Sequence, residues 1–155
     1  SSFLFGQSHR DTLLSIGKFA VHFDYNASVL PDSHALSLQL LVDSLSKYKE
    51  KIFILSAHTS QSGSAAYNQQ LSEKRLEHVR KLLIEKGIDS TRIEGLAFGK
   101  EKPIVKGKKE EDQAVNRRVE IEVKRKFLLT QLNGSIQVDS GAFANAVWIS
   151  LQGQG

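Results

Sequence analysis

The sequence predicts an α/β fold: a two-layer βαβαββ domain with its helices packed on one mixed sheet, followed by a β-rich C-terminal extension. Three observations carry that expectation. Ile52-Phe53-Ile54-Leu55 is an unbroken apolar run of strand length, the pattern of a central strand buried on both faces. Two stretches, about 32–45 and 65–86, repeat apolar residues at helical spacing. Arg118–Lys124 alternates Val119, Ile121 and Val123 with Arg118, Glu120, Glu122 and Lys124, as a one-sided strand does. Strands interleaved with helices in this order build layers around one core.

Taken in order, residues 1–19 form a lead-in without a clear period. Ala20–Tyr25 alternates apolar and polar side chains and predicts a half-buried strand. Pro31-Asp32-Ser33 opens a helix, with Asp32 or Ser33 available to cap its free amides. Leu36, Leu38, Leu40, Leu41, Val42 and Leu45 are its expected apolar stripe. Lys51–Ala57 is the second strand, and Gln61-Ser62-Gly63-Ser64 is turn chemistry. A second helix is expected over about Ala65–Lys86, burying Leu71, Val79, Leu82 and Leu83 and stopping at Gly87 in a left-handed cap. Arg92–Phe98 is the third strand, and Gly99–Asp112 a charged surface loop containing Pro103.

These elements divide the chain into a lead-in (1–19), a folded domain (20–126) and an extension (127–155). The extension holds one charged side chain, Asp139, amid Leu128, Leu129, Ile136, Val138, Phe143, Val147, Trp148, Ile149 and Leu151. Asn133-Gly134 and Ser140-Gly141 are hairpin turn signals, so two or three short strands are expected. Apolar strands without charge aggregate when left open. This segment therefore either folds back on its own domain or meets a partner protein.

Composition bounds the function. The 155 residues are 40% hydrophobic and 25% charged, an ordinary globular balance. Cysteine is absent, which excludes disulfides, thiol nucleophiles and thiolate metal sites. Methionine is absent even at position 1, which predicts a processed or trimmed chain from which any signal peptide or lipid-anchor cysteine would already be gone. The net charge is +4, but the basic stretches Lys100–Lys109 and Arg117–Lys126 contain no aromatic residue for base stacking, so nucleic acid is not the expected partner. No apolar run approaches the ~20 residues of a membrane span.

No catalytic pattern is present. Ser60 lies two residues after His58 without a nucleophile-elbow motif around it. His9, His22, His34, His58 and His78 show no paired metal-ligand spacing, and no cofactor motif occurs. Gly99-Lys100 and Gly107-Lys108 lack the other residues of a phosphate loop. His58 is expected as a turn-organising or buried, hydrogen-bonded histidine.

A binding site is more legible. The step from Asn68 to Arg75 returns within about 20° of the same helix face, with Ser72 between them. Free backbone amides after Gly63, at the start of that helix, suit an anion.

Three blocks occur in order: Ser56-Ala57-His58-Thr59-Ser60-Gln61-Ser62-Gly63, Tyr67-Asn68-Gln69-Gln70-Leu71-Ser72-Glu73-Lys74-Arg75, and Asn116-Arg117-Arg118-Val119-Glu120-Ile121. Together they resemble the OmpA-like domain that holds peptidoglycan in the Gram-negative periplasm. The resemblance covers about Ala20 to Lys126. It implies a non-catalytic module that grips the zwitterionic end of diaminopimelate in the stem peptide. A helix arginine takes the carboxylate bidentately and a loop aspartate answers the ammonium. The helix arginine matches Arg75, the family's asparagine Asn68 and its threonine Thr59. Ser60 stands where the family carries the aspartate, and Ala57 replaces a family glycine.

Of Arg117 and Arg118, in the closing motif, one is expected near the ligand and the other on a carboxylate such as Glu94 or Glu120 across the sheet. A hydrogen bond to a charged group contributes roughly 1.5–3 kcal/mol, against about 1 for a neutral one, so Ser60 predicts weak binding. The implied location is the periplasm, with attachment to the outer membrane through a segment outside this chain. The alternative is a scaffold subunit of an envelope-spanning secretion or motor complex. Such a subunit would keep the fold, give up the ligand, and engage protein partners through residues 127–155.

Overall fold

The computed structural model describes residues 8–45, 50–132 and 135–139, with side chains described over 13–45 and 50–126. Its elements are β1 (Ser8–His22), α1 (Asp32–Ser44), β2 (Lys51–Ala57), α2 (Ala65–Glu85), a 3-10 turn (Ser90–Arg92), β3 (Ile93–Ala97), α3 (Glu110–Asn116), β4 (Arg118–Leu132) and β5 (Ser135–Asp139). The chain divides into two compact units, Ser15–Lys124 and a second made of residues up to Leu14 and from Arg125 onward.

In the larger unit, helices pack on one open mixed sheet of strand order β1-β4-β2-β3. β2 and β3 run parallel, from Phe53 opposite Ile93 to Ala57 opposite Ala97. The core between sheet and helices is Val21, Phe23, Phe53, Leu55, Ala57, Ile93, Val119, Ile121 and Val123, met by Leu38, Val42, Leu45, Val79 and Leu83. β2 is central, as its apolar run predicts, but only alternate residues are fully buried. One helical layer covers one face, so Ile52 and Ile54 are only half-buried on the other.

Local differences from the sequence reading have physical reasons. β1 begins at Ser8 and ends at His22, where a strand was expected only from Ala20. Pairing to β4 extends it through residues whose own pattern is weak. Neither Asp32 nor Ser33 caps α1. Pro31 occupies the cap position with extended backbone and no side-chain bond, which places Asp32 in the first turn, where its charge favours the helix N-terminus. Leu36 and Leu40 are exposed, because the buried stripe of α1 follows Leu38, Val42 and Leu45.

α2 ends as expected. Gly87 has φ +89°, its N–H donates to the Ile84 carbonyl, and the Ile88 N–H reaches back to Leu83, a Schellman cap. α3 lies within and beyond the expected charged loop. Glu110, Glu111 and Asp112 fill its first turn, where carboxylates stabilise a helix, yet its short span offers no apolar period to read.

In the second unit, β4 pairs antiparallel with β5 from Leu128 opposite Asp139 to Leu132 opposite Ser135. The Asn133-Gly134 turn, residues 140–155 and the Ser140-Gly141 turn lie outside the described residues.

Candidate functional site

The buried stripe of α2 reads Asn68, Ser72, Arg75, Val79, Leu83. Its C-terminal half is apolar and joins the core. Its N-terminal half is polar and faces the loops that leave β2 and β3. Asn68 Nδ2 donates to the carbonyls of Ser62 (2.7 Å) and Ser64 (2.9 Å), pinning the turn that opens the helix. Ser64 caps α2 by accepting from the Tyr67 N–H at 3.1 Å. The Ser72 hydroxyl accepts from the Gly99 N–H at 2.9 Å, and the Thr59 N–H donates to the Gly99 carbonyl at 2.9 Å. Gly99 has φ +54°, and a Cβ there would lie 3.3 Å from the Gln69 nitrogen, so glycine lets this turn close on the helix.

Arg75 is wholly buried. Its Nε donates to the Ala27 carbonyl (2.8 Å), Nη1 to His58 (3.0 Å) and Nη2 to Asp24 (3.4 Å). The guanidinium lies 4.9 Å from the centroid of the Phe23 ring, a cation–π contact. Among the described residues no carboxylate reaches it. Burial, then the nearby Arg117 cation, push its pKa down to about 10, so it remains charged at neutral pH. The same 23–30 loop is tied to α2 twice more, by the Tyr67 hydroxyl on Asn26 and by the Leu30 N–H donating to His78 Nε2 at 3.1 Å.

Arg117 and Arg118 take different partners. Arg118 bonds Glu120 through Nε (2.8 Å) and Nη2 (2.6 Å), two residues along the same strand rather than across the sheet. Glu94 is not its partner. Arg117 points the other way. Its Nε donates to the Phe23 carbonyl (3.1 Å), its own carbonyl accepts from the Phe23 N–H (2.9 Å), and Nη2 meets Glu110 of α3 at 2.6 Å. Its Nη1 is buried without a partner. Arg75 and Arg117 thus both hold the Phe23-Asp24 backbone.

α3 borders the same place. Gln113 Oε1 accepts from the Gln61 N–H at 2.6 Å and its Nε2 donates to the Gly107 carbonyl. Asn116 holds the preceding loop through the Ile104 (2.8 Å) and Val105 (3.2 Å) N–H groups. Ser60 Oγ lies 3.2 Å from Ser62 Oγ, and the Thr59 hydroxyl donates to the Ser60 carbonyl at 3.0 Å. Thr59, Ser60, Asn68, Arg75 and Arg117 are therefore gathered at one end of the sheet, while Arg118 is committed to Glu120. Phe23, Glu110 and Gln113 were not anticipated. The acidic triplet Glu110-Glu111-Asp112 was the available signal for α3.

His58 is buried as expected, but neither ring nitrogen has a hydrogen-bond partner. Instead the ring stacks on Phe98, 5.3 Å between centroids at 14°. Burial first, then Arg118, lower its pKa to about 4, with Glu120 opposing, so it is neutral at neutral pH. Among the described residues, no three His, Asp or Glu side chains converge as a metal requires. No described helix is long and apolar enough to cross a membrane.

A two-layer sheet-and-helix domain with buried arginines at one end of its strands has close parallels. The family model described as the OmpA family matches residues 22–117. The chain belongs to the OmpA family. It is 34% identical over 104 residues to outer membrane porin F of Pseudomonas aeruginosa, covering 66% of this chain and 30% of that protein. It is 31% identical over 100 residues to the peptidoglycan-associated lipoprotein of the same organism, covering 64% and 59% respectively. Outer membrane protein A of Bordetella avium is 37% identical over 101 residues, 65% of this chain and 52% of that one. The matched stretch is thus less than two thirds of each relative.

The crystal structure of the peptidoglycan-associated lipoprotein from Burkholderia pseudomallei superposes with a TM-score of 0.63 at 30% identity, covering 67% of this chain and 88% of that one. The C-terminal domain of Helicobacter pylori MotB shares the fold, with a TM-score of 0.62 at 20% identity over 68% of this chain and 83% of its own.

Proposed function

We propose that this chain is a non-catalytic, peptidoglycan-associating module of a Gram-negative envelope protein. It works in the periplasm and is joined to the outer membrane through a segment outside this sequence. The observation that carries the reading is the pair of buried guanidiniums, Arg75 and Arg117: among the described residues Arg75 has no carboxylate partner and Arg117 pairs only with the exposed Glu110. Buried cations outnumbering their counter-ions favour an anionic group, and the stem peptide of peptidoglycan supplies carboxylates. Kinship with peptidoglycan-associated lipoproteins supports that ligand class.

In this reading Arg117 offers the donors, with Nη1 unused, and Arg75 adds charge while fixing the 23–30 loop. Thr59 and Asn68 shape the rim, and Ser60 with Ser62 presents hydroxyls in place of a carboxylate. Arg118 braces β4 through Glu120. Diaminopimelate is the proposed residue in the stem, held weakly.

One observation favours the scaffold reading. Arg75 spends three of its donors on backbone carbonyls, which is the behaviour of a structural arginine. The test is co-sedimentation with sacculi of the diaminopimelate type. Wall association predicts that the wild type pellets and that Arg117→Lys, which keeps the charge but loses the fork, stays soluble. A wild type that stays in the supernatant at all protein concentrations supports the scaffold instead.

A further inference from the structure

We infer that Glu110 is the residue that reads the free amine of the ligand, and that binding proceeds by exchange within the Arg117–Glu110 ion pair. This rests on the wall-binding reading and deepens it. Three observations combine. Glu110 contacts Arg117 at 2.6 Å with its side chain 70% exposed, whereas that of Arg117 is 7% exposed. Arg117 Nη1, beside the bonded Nη2, is enclosed and unpartnered. Gln113, one turn after Glu110 on the same face of α3, bonds the Gln61 backbone, so α3 flanks the loop that carries Ser60. Among the described residues, Glu110 is the carboxylate in ion-pair contact with a site guanidinium.

Glu110 is largely solvated and loses little on leaving, and because Arg117 is buried the incoming carboxylate must take its place on the guanidinium in the same step. A ligand bearing carboxylate and ammonium on one carbon then makes two ion pairs from one. Its carboxylate takes Nη1 and Nη2 of Arg117 as a fork, and the released Glu110 accepts from the ammonium. Charge stays balanced at each point, and the orphaned Nη1 gains an acceptor. A ligand whose amine is acylated offers only the carboxylate and must leave Glu110 without a cation. The site therefore prefers stems with a free amine, although Ser60 carries no charge. The specificity carboxylate sits on α3 rather than in the loop after β2.

The experiment titrates the intact chain by calorimetry with two soluble stem peptides of the diaminopimelate type, one with the free side-chain amine and one acetylated there. The expected result is a preference of about tenfold for the free amine, equivalent to about 1.4 kcal/mol, that falls to about one in Glu110→Gln and is restored in Glu110→Asp. Affinity for the acetylated stem does not fall in Glu110→Gln, because the carboxylate competing for Arg117 is lost, whereas a merely structural role would lower affinity for both stems. A preference retained in Glu110→Gln, or no preference in the wild type, overturns the role of Glu110 and leaves wall binding standing. A wild type that binds neither stem overturns both.

Discussion

Arg75 Nε on α2 donates to the carbonyl of Ala27 at 2.8 Å, joining the middle of the long helix to the loop that follows β1. With its bonds to His58 and Asp24, this side chain ties the end of β2 to the same loop. The polar half of the α2 stripe is thus an internal fastening for the loops around the site, and the arginine expected at the ligand is also a framework residue.

Arg75→Ala is expected to destabilise the fold on the order of 3 kcal/mol or more, because three carbonyls lose a buried donor and a cavity replaces the guanidinium. Arg75→Lys keeps the charge, loses the fork and falls in between. Urea denaturation measures both. A loss below about 1 kcal/mol in Arg75→Ala contradicts the framework role.

Acid should weaken the protein partly through His58, whose pKa falls from 6.5 to about 4 on folding. Above pH 6.5 both states are neutral there and its contribution is complete. As pH falls toward 4, the unfolded chain takes up a proton that the folded chain refuses, so stability declines. The loss from this group reaches roughly 3 kcal/mol. His22 and His78, also held low chiefly by burial, act in the same direction. His58→Phe removes the titration and should flatten the pH dependence of urea unfolding. Equal slopes in wild type and variant contradict the assignment.

Two of the left-handed glycines, Gly87 and Gly99, should respond differently to alanine. At Gly87 nothing lies within 4 Å of an added Cβ, so the cost is the backbone conformation, about 1–2 kcal/mol. At Gly99 the same cost is joined by a 3.3 Å contact with the Gln69 backbone, which cannot rotate away. Gly99→Ala should therefore have the lower melting temperature. Equal melting temperatures contradict the close packing of this turn on α2.

Ser60→Asp should strengthen sacculus binding by roughly tenfold, since it returns a charge that can answer an ammonium. Pull-down across a range of protein concentrations checks it. A variant no tighter than the wild type means that position 60 does not face the ligand.

Much of the architecture was legible because it rests on periodicity. Val119, Ile121 and Val123 are buried as their alternation requires, and Gly87 ends α2 in a left-handed cap. Features set by tertiary partners were not. β1 is extended by pairing with β4, and Leu36 and Leu40 are exposed because the sheet contacts another stripe of α1. The site was legible as a spacing, Asn68 to Arg75, but spacing does not reveal what a guanidinium bonds. Buried backbone carbonyls carry no sequence signal, so the three backbone bonds of Arg75 could not be read. Nor could the contribution of Glu110, on a helix too short to show a period.

The most direct test of the central claim is release from the wall by competition. Intact chain pelleted with diaminopimelate-type sacculi is challenged with soluble meso-diaminopimelate, with cadaverine as control. Wall association through the Arg117 end of the domain predicts pelleting that diaminopimelate reverses and cadaverine, a diamine without a carboxylate, does not. A chain that never pellets, or pellets and is released equally by both, contradicts it.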